Sequence, residues 1–139
     1  MKFDYQKFPS TVSSTSAWIN KPIIRIRLAH GDKAVMTDAL IDSGADTSLF
    51  HSSLATKLGI DLKSGIRKDF YGIAGDPVPG YFHPVHLQIV GMNTAVKLLV
   101  AFTLAEGVAA LLGQADFFQS FQIKFERYNE RIEINPARK

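Results

Sequence analysis

The residues of this sequence that could perform chemistry lie in one short stretch, residues 42–46, which reads Asp-Ser-Gly-Ala-Asp. An apolar run, Ala39-Leu40-Ile41, precedes it and would deliver the carboxyl group of Asp42 from the protein interior. Gly44 lets the backbone turn tightly and lets another chain or ligand approach closely. Asp-Ser-Gly is also an ordinary turn composition. The apolar residues before it and the second acid after it favour a chemical role for Asp42.

Composition bounds the class of protein. A chain of 139 residues predicts one domain, and 46% hydrophobic with 21% charged residues is ordinary for a globular protein. No stretch reaches the roughly 18 apolar residues of a membrane span. The N-terminus lacks the apolar segment of a secretory signal, so a cytoplasmic location is expected. The absence of cysteine excludes disulfides, thiolate metal sites and a cysteine nucleophile.

The remaining charged and polar residues carry weaker signals. The net charge of +3 is dispersed, so neither a nucleic-acid nor a membrane partner is expected. His83 and His86 are three residues apart on a strand and therefore face opposite sides, which argues against a metal pair and favours a solvent or turn role. No phosphate-binding or dinucleotide motif is present, and no cofactor is expected. Four further acids have the spacing of surface charges: Asp116, Glu126, Glu130 and Glu133.

The elements that must position Asp42 begin with a hairpin. Residues 22–29 alternate between apolar and basic side chains, which predicts a half-buried strand. A turn at His30–Lys33 leads to a returning strand, residues 34–41, that ends at Asp42. A short strand at residues 47–50 follows. A helix is predicted at Leu54–Leu58, capped by Ser52 or Ser53 and ended by Gly59.

The second half of the chain reads as further strands at hairpin spacing. A strand at residues 67–73 and a turn at 74–77 lead to an irregular strand, residues 78–90, whose prolines predict an edge or a projecting hairpin. Strongly apolar runs at 94–102 and 108–112 follow, the second stopped by Gly113. Residues 114–120 could form two helical turns, and residues 122–134 a last hairpin. About seven to nine short strands predict an all-β sandwich or barrel.

The sequence resembles the retroviral-type, retropepsin-like single-domain aspartic proteases. Their active-site pattern is two hydrophobic residues, Asp, Thr or Ser, Gly, Ala, then Asp, Asn or Ser, and residues 40–46 match it without a gap. Residues 71–75 fall at the position of the flap tip. Residues 111–114, Leu-Leu-Gly-Gln, fall where the family has two hydrophobic residues and Gly before a short helix. The viral enzymes often have Arg at the position of Gln114. With its longer C-terminal hairpin, the chain is more similar to cellular and bacterial relatives.

The resemblance implies a closed β-barrel of the acid-protease type, with a flap hairpin and one or two short helices. It implies a domain at residues 21–136, preceded by an arm or linker (1–20) and followed by a tail (137–139). The chain has a single Asp-Ser-Gly, so two copies would have to supply the two carboxyls of the site. The implied catalytic residues are Asp42, Ser43 and Gly44. The implied substrate contacts are Ala45, Asp46, Tyr71, Gly72, Ile73, Ala74, Gly75, Leu112 and Gly113.

Three functions follow from these observations. The first is an aspartic endopeptidase acting as a homodimer on peptide or protein substrates. The second is a non-catalytic dimer of the same fold that binds an extended peptide by strand addition. The third is a structural β-domain in which Asp42 is a buried turn acid. Acid-favoured peptide cleavage would distinguish the first function from the other two.

Overall fold

A closed β-barrel forms the body of the protein in a computed structural model that describes residues 1–9, 18–71, 75–108 and 110–138. The strands in the described residues are β1 (Lys2–Asp4), β2 (Gln6–Pro9), β3 (Trp18–Lys21), β4 (Ile23–His30), β5 (Lys33–Ile41), β6 (Leu49–His51), β7 (Ile66–Phe70), β8 (Val78–Ile89), β9 (Ala95–Thr103), β10 (Leu111–Leu112), β11 (Phe121–Glu126) and β12 (Arg131–Pro136). Six of them pair in the order β4-β5-β10-β6-β9-β8, and β8 pairs back to β4. The predicted all-β closed barrel is therefore confirmed.

Alternating side chains build the barrel core. Along β4, Ile24, Ile26 and Leu28 are buried, whereas Arg25 and Arg27 face outward. This period of two matches the pleat of a strand that is buried on one face only. The same alternation in β8 and β9 completes a core of large aliphatic and aromatic side chains, which include Phe50, Leu87, Leu98, Phe102, Leu112 and Phe117.

Strand β8 was predicted to be an edge strand or a projecting hairpin; it is not an edge strand, but its first residues do form a hairpin with β7. It pairs with β9 along most of its length, and on its other side with β7 through residues 78–82 and with β4 through residues 86–89. Pro84 falls in the gap between these two partners. Because Pro84 has no strand beside it on that side, its missing N–H removes no hydrogen bond to β7 or β4. The strand can therefore remain internal despite its prolines.

The two ends of the chain meet in a separate small sheet. Strand β12 lies between β1 and β11, and the Met1 amino group donates to the Ile134 carbonyl at 2.9 Å. Phe3 and Tyr5 pack against the core of the same chain. The N-terminal residues that the structure describes are thus paired, whereas the Ser/Thr run at 10–16 lies outside the described residues. The proposed domain boundary at residue 20 stays a prediction.

The helical segments are short. Helix α1 spans Ser52–Lys57, and its cap is the His51 ring, which accepts from the Ser53 N–H, rather than Ser52 or Ser53. The two helical turns expected at 114–120 are not regular, because Ala115 is extended and Asp116 has φ +66°. Short single-turn helices also lie at Leu62–Ser64 and Arg127–Asn129. No helix in the described ranges is long and apolar enough to span a membrane.

Candidate active site

Asp42 lies at the point where strand β5 leaves the barrel. Strand β10 runs parallel to β5, and the Asp42 N–H donates to the Leu112 carbonyl at 2.9 Å. This bond fixes the backbone of Asp42 directly beyond the last buried residue of β5, Ile41. Asp42 itself is half-buried, and Ser43 and Gly44 are exposed. The carboxyl group therefore stands at the barrel surface on a backbone that the core holds in place.

The loop after Asp42 is closed by the aspartate's own oxygens. Asp42 Oδ1 accepts from the Gly44 N–H at 2.9 Å, and the Asp42 carbonyl accepts from the Ala45 N–H at 3.1 Å. A β-carbon at position 44 would lie 3.2 Å from Asp42 Oδ1, which is tighter than ordinary contact. A glycine at this position thus lets the N–H approach the carboxylate and fix its orientation.

Residues 113–115 hold the loop from its other side. The Gln114 N–H donates to the Ala45 carbonyl, and the Ala115 N–H donates to the Asp46 carbonyl, both at 2.8 Å. Gly113 packs so closely that a β-carbon there would lie 2.5 Å from the Thr47 carbonyl oxygen. Glycine is therefore required at this position by direct contact between two backbones.

Ser48 and Gln114 contribute side chains to this arrangement, and sequence reasoning gave neither a positioning role. Ser48 is completely buried, and its hydroxyl oxygen accepts from the Gly113 N–H at 3.1 Å. The Gln114 side-chain amide donates to the Ser43 carbonyl at 2.7 Å. A neutral amide thus contacts the loop at the position where the viral enzymes often have Arg. Only the Leu-Leu-Gly-Gln motif in the sequence hints at this role for Gln114.

Asp116 was predicted to be an ordinary surface charge, and it is partly exposed, but the prediction missed a role in anchoring the backbone. Its backbone is left-handed, with φ +66°, and its carboxylate accepts from the Leu99 N–H of strand β9 at 2.7 Å. Its own N–H donates to the Gln119 side chain at 2.8 Å. Asp116 therefore anchors the turn that follows the 113–115 segment to the barrel wall. The sequence carries no local signal of a partner 17 residues away.

A groove of about 440 Å³ begins beside this loop. One side is formed by Gly44, Ala45, Asp46, Thr47, Leu49 and Leu111, and the other by Lys68, Asp69, Phe70 and Tyr71 at the end of β7. Among the predicted contacts, Ala45, Asp46 and Tyr71 do line the groove. Leu112 does not line the groove, because its side chain is buried in the core. Its neighbour Leu111 lines the groove instead.

The predicted hairpin tip is described only at its two sides. Gly72, Ile73 and Ala74 lie outside the described residues. Tyr71 is largely exposed, and Gly75 has φ +108° with no atom of the described residues within 4 Å of where its β-carbon would be. Strands β7 and β8 form the antiparallel arms of this hairpin, next to the groove.

The two histidines do lie on opposite faces, since His86 is exposed and His83 is 7% exposed. The solvent or turn role expected for His83 is wrong, because its Nε2 lies 2.6 Å from the Leu62 carbonyl oxygen. Within the described residues, no group of three or more His, Asp or Glu side chains could hold a metal ion.

The fold and the site together define a single-domain β-barrel with one Asp-Ser-Gly loop supported by a Gly-Gln segment. The sequence profile of the aspartyl protease family matches residues 26–115, more than half of the chain, and the chain belongs to that family. A search of curated protein sequences finds no significant match.

Solved structures similar to this chain are retropepsin-like. A retropepsin-like aspartic protease from Rickettsia conorii has a TM-score of 0.60 at 17% identity, covering 84% of this chain and 99% of that one. The EIAV protease complexed with the inhibitor HBY-793 has a TM-score of 0.46 at 18% identity, covering 76% of this chain and 88% of that one. The resemblance to retropepsin-like proteases is thus confirmed, with a bacterial enzyme among these structures.

Proposed function

We propose that the protein is an aspartic endopeptidase that works as a homodimer, with Asp42 of each copy supplying one carboxyl group. The observation that carries this proposal is the single Asp-Ser-Gly loop, held at the barrel surface with its carboxyl half-buried. Hydrolysis of a peptide bond without a metal or a covalent nucleophile needs both a base and an acid. One Asp42 cannot be both in the same step, so the second carboxyl comes from a second copy.

In the proposed reaction, the two carboxyls share one proton because both cannot be ionised side by side. The ionised Asp42 takes a proton from a water molecule as its oxygen attacks the substrate carbonyl carbon. The protonated Asp42 gives its proton to the carbonyl oxygen, which yields a neutral tetrahedral diol. The carboxyl that took up the water proton then protonates the amide nitrogen, while the other, now ionised, carboxylate removes a proton from one hydroxyl of the diol. The carbon–nitrogen bond breaks, leaving a carboxylic acid and an amine, and the pair again holds one proton. Because the reaction needs one protonated and one ionised carboxyl, cleavage is expected to be favoured at acid pH.

The neighbouring residues would position the substrate. Ser43 would hydrogen-bond across the two-fold axis and keep the two carboxyls near one plane. The Gly44 carbonyl would accept from a substrate N–H, and the Asp46 carboxylate from another. The hairpin of β7 and β8 would act as the flap that closes over the groove. The groove beside Gly44 and Asp46, with Tyr71 opposite, supports this assignment.

A peptide-library experiment tests the proposal. Wild type and Asp42→Asn are incubated with a diverse peptide library at several pH values, and products are identified by mass spectrometry. Wild type should cleave best at acid pH, and Asp42→Asn should lose at least about a thousandfold in rate while remaining dimeric. The matched control is Asp61→Asn, because Asp61 is exposed and its side chain caps nothing. Undiminished cleavage by Asp42→Asn would overturn the proposal. Peptide binding without turnover by wild type would instead support the non-catalytic dimer.

A further inference from the structure

The groove beside the catalytic loop carries charges that do not compensate one another. Its charged lining residues are Asp46 on the loop side and Lys68 and Asp69 on the opposite side. The Arg67 guanidinium lies 3.1 Å from Asp69 Oδ1, so Asp69 has an opposite charge beside it on its own strand, although the contact lacks hydrogen-bond geometry. The side chains of Asp46 and Lys68 make no ion pair with any part of the chain that the structure describes.

Strand register places Lys68 over an apolar floor. Across the sheet, Ile66 pairs with Phe82, Phe82 with Ala101, Ala101 with Leu49, and Leu49 with Leu111. Paired residues share one face of a sheet, and residues two apart on a strand share it too. Lys68 therefore projects from the same face as Leu49 and Leu111, which line the groove.

The ammonium group of Lys68 is held in place rather than left free. Lys68 pairs with Gly80, which has no side chain, and the Phe70 ring occupies that space, within 2.5 Å of where a β-carbon of Gly80 would be. Lys68 Nζ lies 5.7 Å from the centroid of the Phe70 ring, a cation–π arrangement. The groove thus has an apolar floor and a pre-positioned cation at its rim.

We infer that Lys68 makes the enzyme select substrates with an acidic side chain at the position that occupies this groove. The inference rests on the proposed function, in which a substrate backbone N–H donates a hydrogen bond to the Asp46 carboxylate. Asp46 then bonds to the substrate backbone, and Asp69 is paired with Arg67. Lys68 is therefore the charged lining residue that still has no opposite charge beside it in the described residues. The aliphatic part of a glutamate would lie on Leu49 and Leu111, and its carboxylate would meet the ammonium.

A binding experiment tests this inference separately from catalysis. Peptides that the library identifies as substrates, or random peptides if none is cleaved, are prepared as sets with Glu, Gln, Leu or Lys at each position in turn. Their affinities for Asp42→Asn are measured by fluorescence anisotropy, because this variant is expected to bind without cleaving. At one position Glu should bind about three- to fivefold more tightly than Gln, since the charge pair is partly exposed.

The variants Lys68→Gln and Lys68→Glu are then built on Asp42→Asn. Lys68→Gln should abolish the preference for Glu, and Lys68→Glu should reverse it in favour of Lys. Lys63→Glu makes the same charge change on an exposed residue outside the groove and should leave the preference intact. A preference that also disappears in Lys63→Glu would reflect the overall charge of the protein and would overturn the inference.

The outcomes separate the two claims. If wild type cleaves peptides but Glu and Gln peptides bind equally at every position, the inference about Lys68 is wrong and the proposed function stands. If Lys68 sets the preference and wild type cleaves nothing, the inference stands for a peptide-binding dimer and the proposed catalysis is wrong. If no peptide binds to Asp42→Asn and wild type cleaves none, both are overturned.

Discussion

The Gln114 side-chain amide donates to the Ser43 carbonyl at 2.7 Å, linking the segment after β10 to the Asp-Ser-Gly loop across 71 residues of sequence. The backbone N–H of Gln114 donates to the Ala45 carbonyl in the same loop. One residue therefore holds the loop at two points, one residue and three residues after Asp42. We interpret Gln114 as a positioning residue, since it contacts the loop and not the reacting carboxyl.

Replacing Gln114 should therefore impair catalysis more than stability. Gln114→Ala removes one exposed hydrogen bond, which costs about 1 kcal/mol of unfolding free energy. Release of the Ser43 carbonyl displaces the loop, and kcat should fall about tenfold with little change in KM. Steady-state kinetics and thermal unfolding check this, with Gln122→Ala, an exposed residue of β11, as the control. A loss of stability without any loss of kcat would contradict the positioning role.

Gly113→Ala should destabilise the protein and inactivate it together. The new β-carbon would lie 2.5 Å from the Thr47 carbonyl oxygen and 2.8 Å from that of Ala45, so the backbone itself must move. Overpacking of this kind costs about 1–3 kcal/mol. Denaturant unfolding measures the loss. The comparison is Gly31→Ala, where φ is +59° but no atom in the described part of the chain lies within 4 Å of the new β-carbon. Only backbone strain of about 1 kcal/mol therefore applies, and activity should be retained.

Asp116 offers a test with two substitutions at one site. Asp116→Ala removes the acceptor of the Leu99 N–H and leaves alanine, which has no polar side chain, at φ +66°. It should lower the free energy of unfolding by about 2 kcal/mol. Asp116→Asn keeps an acceptor oxygen and a residue that tolerates the left-handed region, so it should cost less than about 1 kcal/mol. Equal unfolding free energies for the two variants would contradict the structural role.

The sequence predicted the parts of this molecule that depend on local pattern. Alternation identified β4, the turn after it predicted β5 as the returning strand, and the apolar run ending at Asp42 marked residues 42–46 as the candidate site. The acidic turn residue Asp116 was misjudged because its partner, the Leu99 N–H, comes from a distant strand. The role of Ser48 in accepting from the Gly113 N–H was missed for the same reason, because Gly113 is distant in sequence and the neighbours Thr47 and Leu49 do not distinguish Ser48. Of the two roles that the prolines predicted for β8, the edge strand is wrong, because the gap between its two partners, where Pro84 lies, depends on the barrel and not on the strand.

Mixing subunits tests the central claim, that two copies of Asp42 form one site, most directly. A fixed amount of wild type is refolded with increasing amounts of Asp42→Asn, and peptide cleavage is measured at acid pH. Heterodimers would carry one Asp42 carboxyl and be inactive. With random pairing, activity should fall to about one half at an equal amount of variant and to about one quarter at a threefold excess. Addition of Asp61→Asn instead should raise activity in proportion to the protein added. Activity that is unchanged by any amount of Asp42→Asn would show that each chain acts alone and would contradict the account.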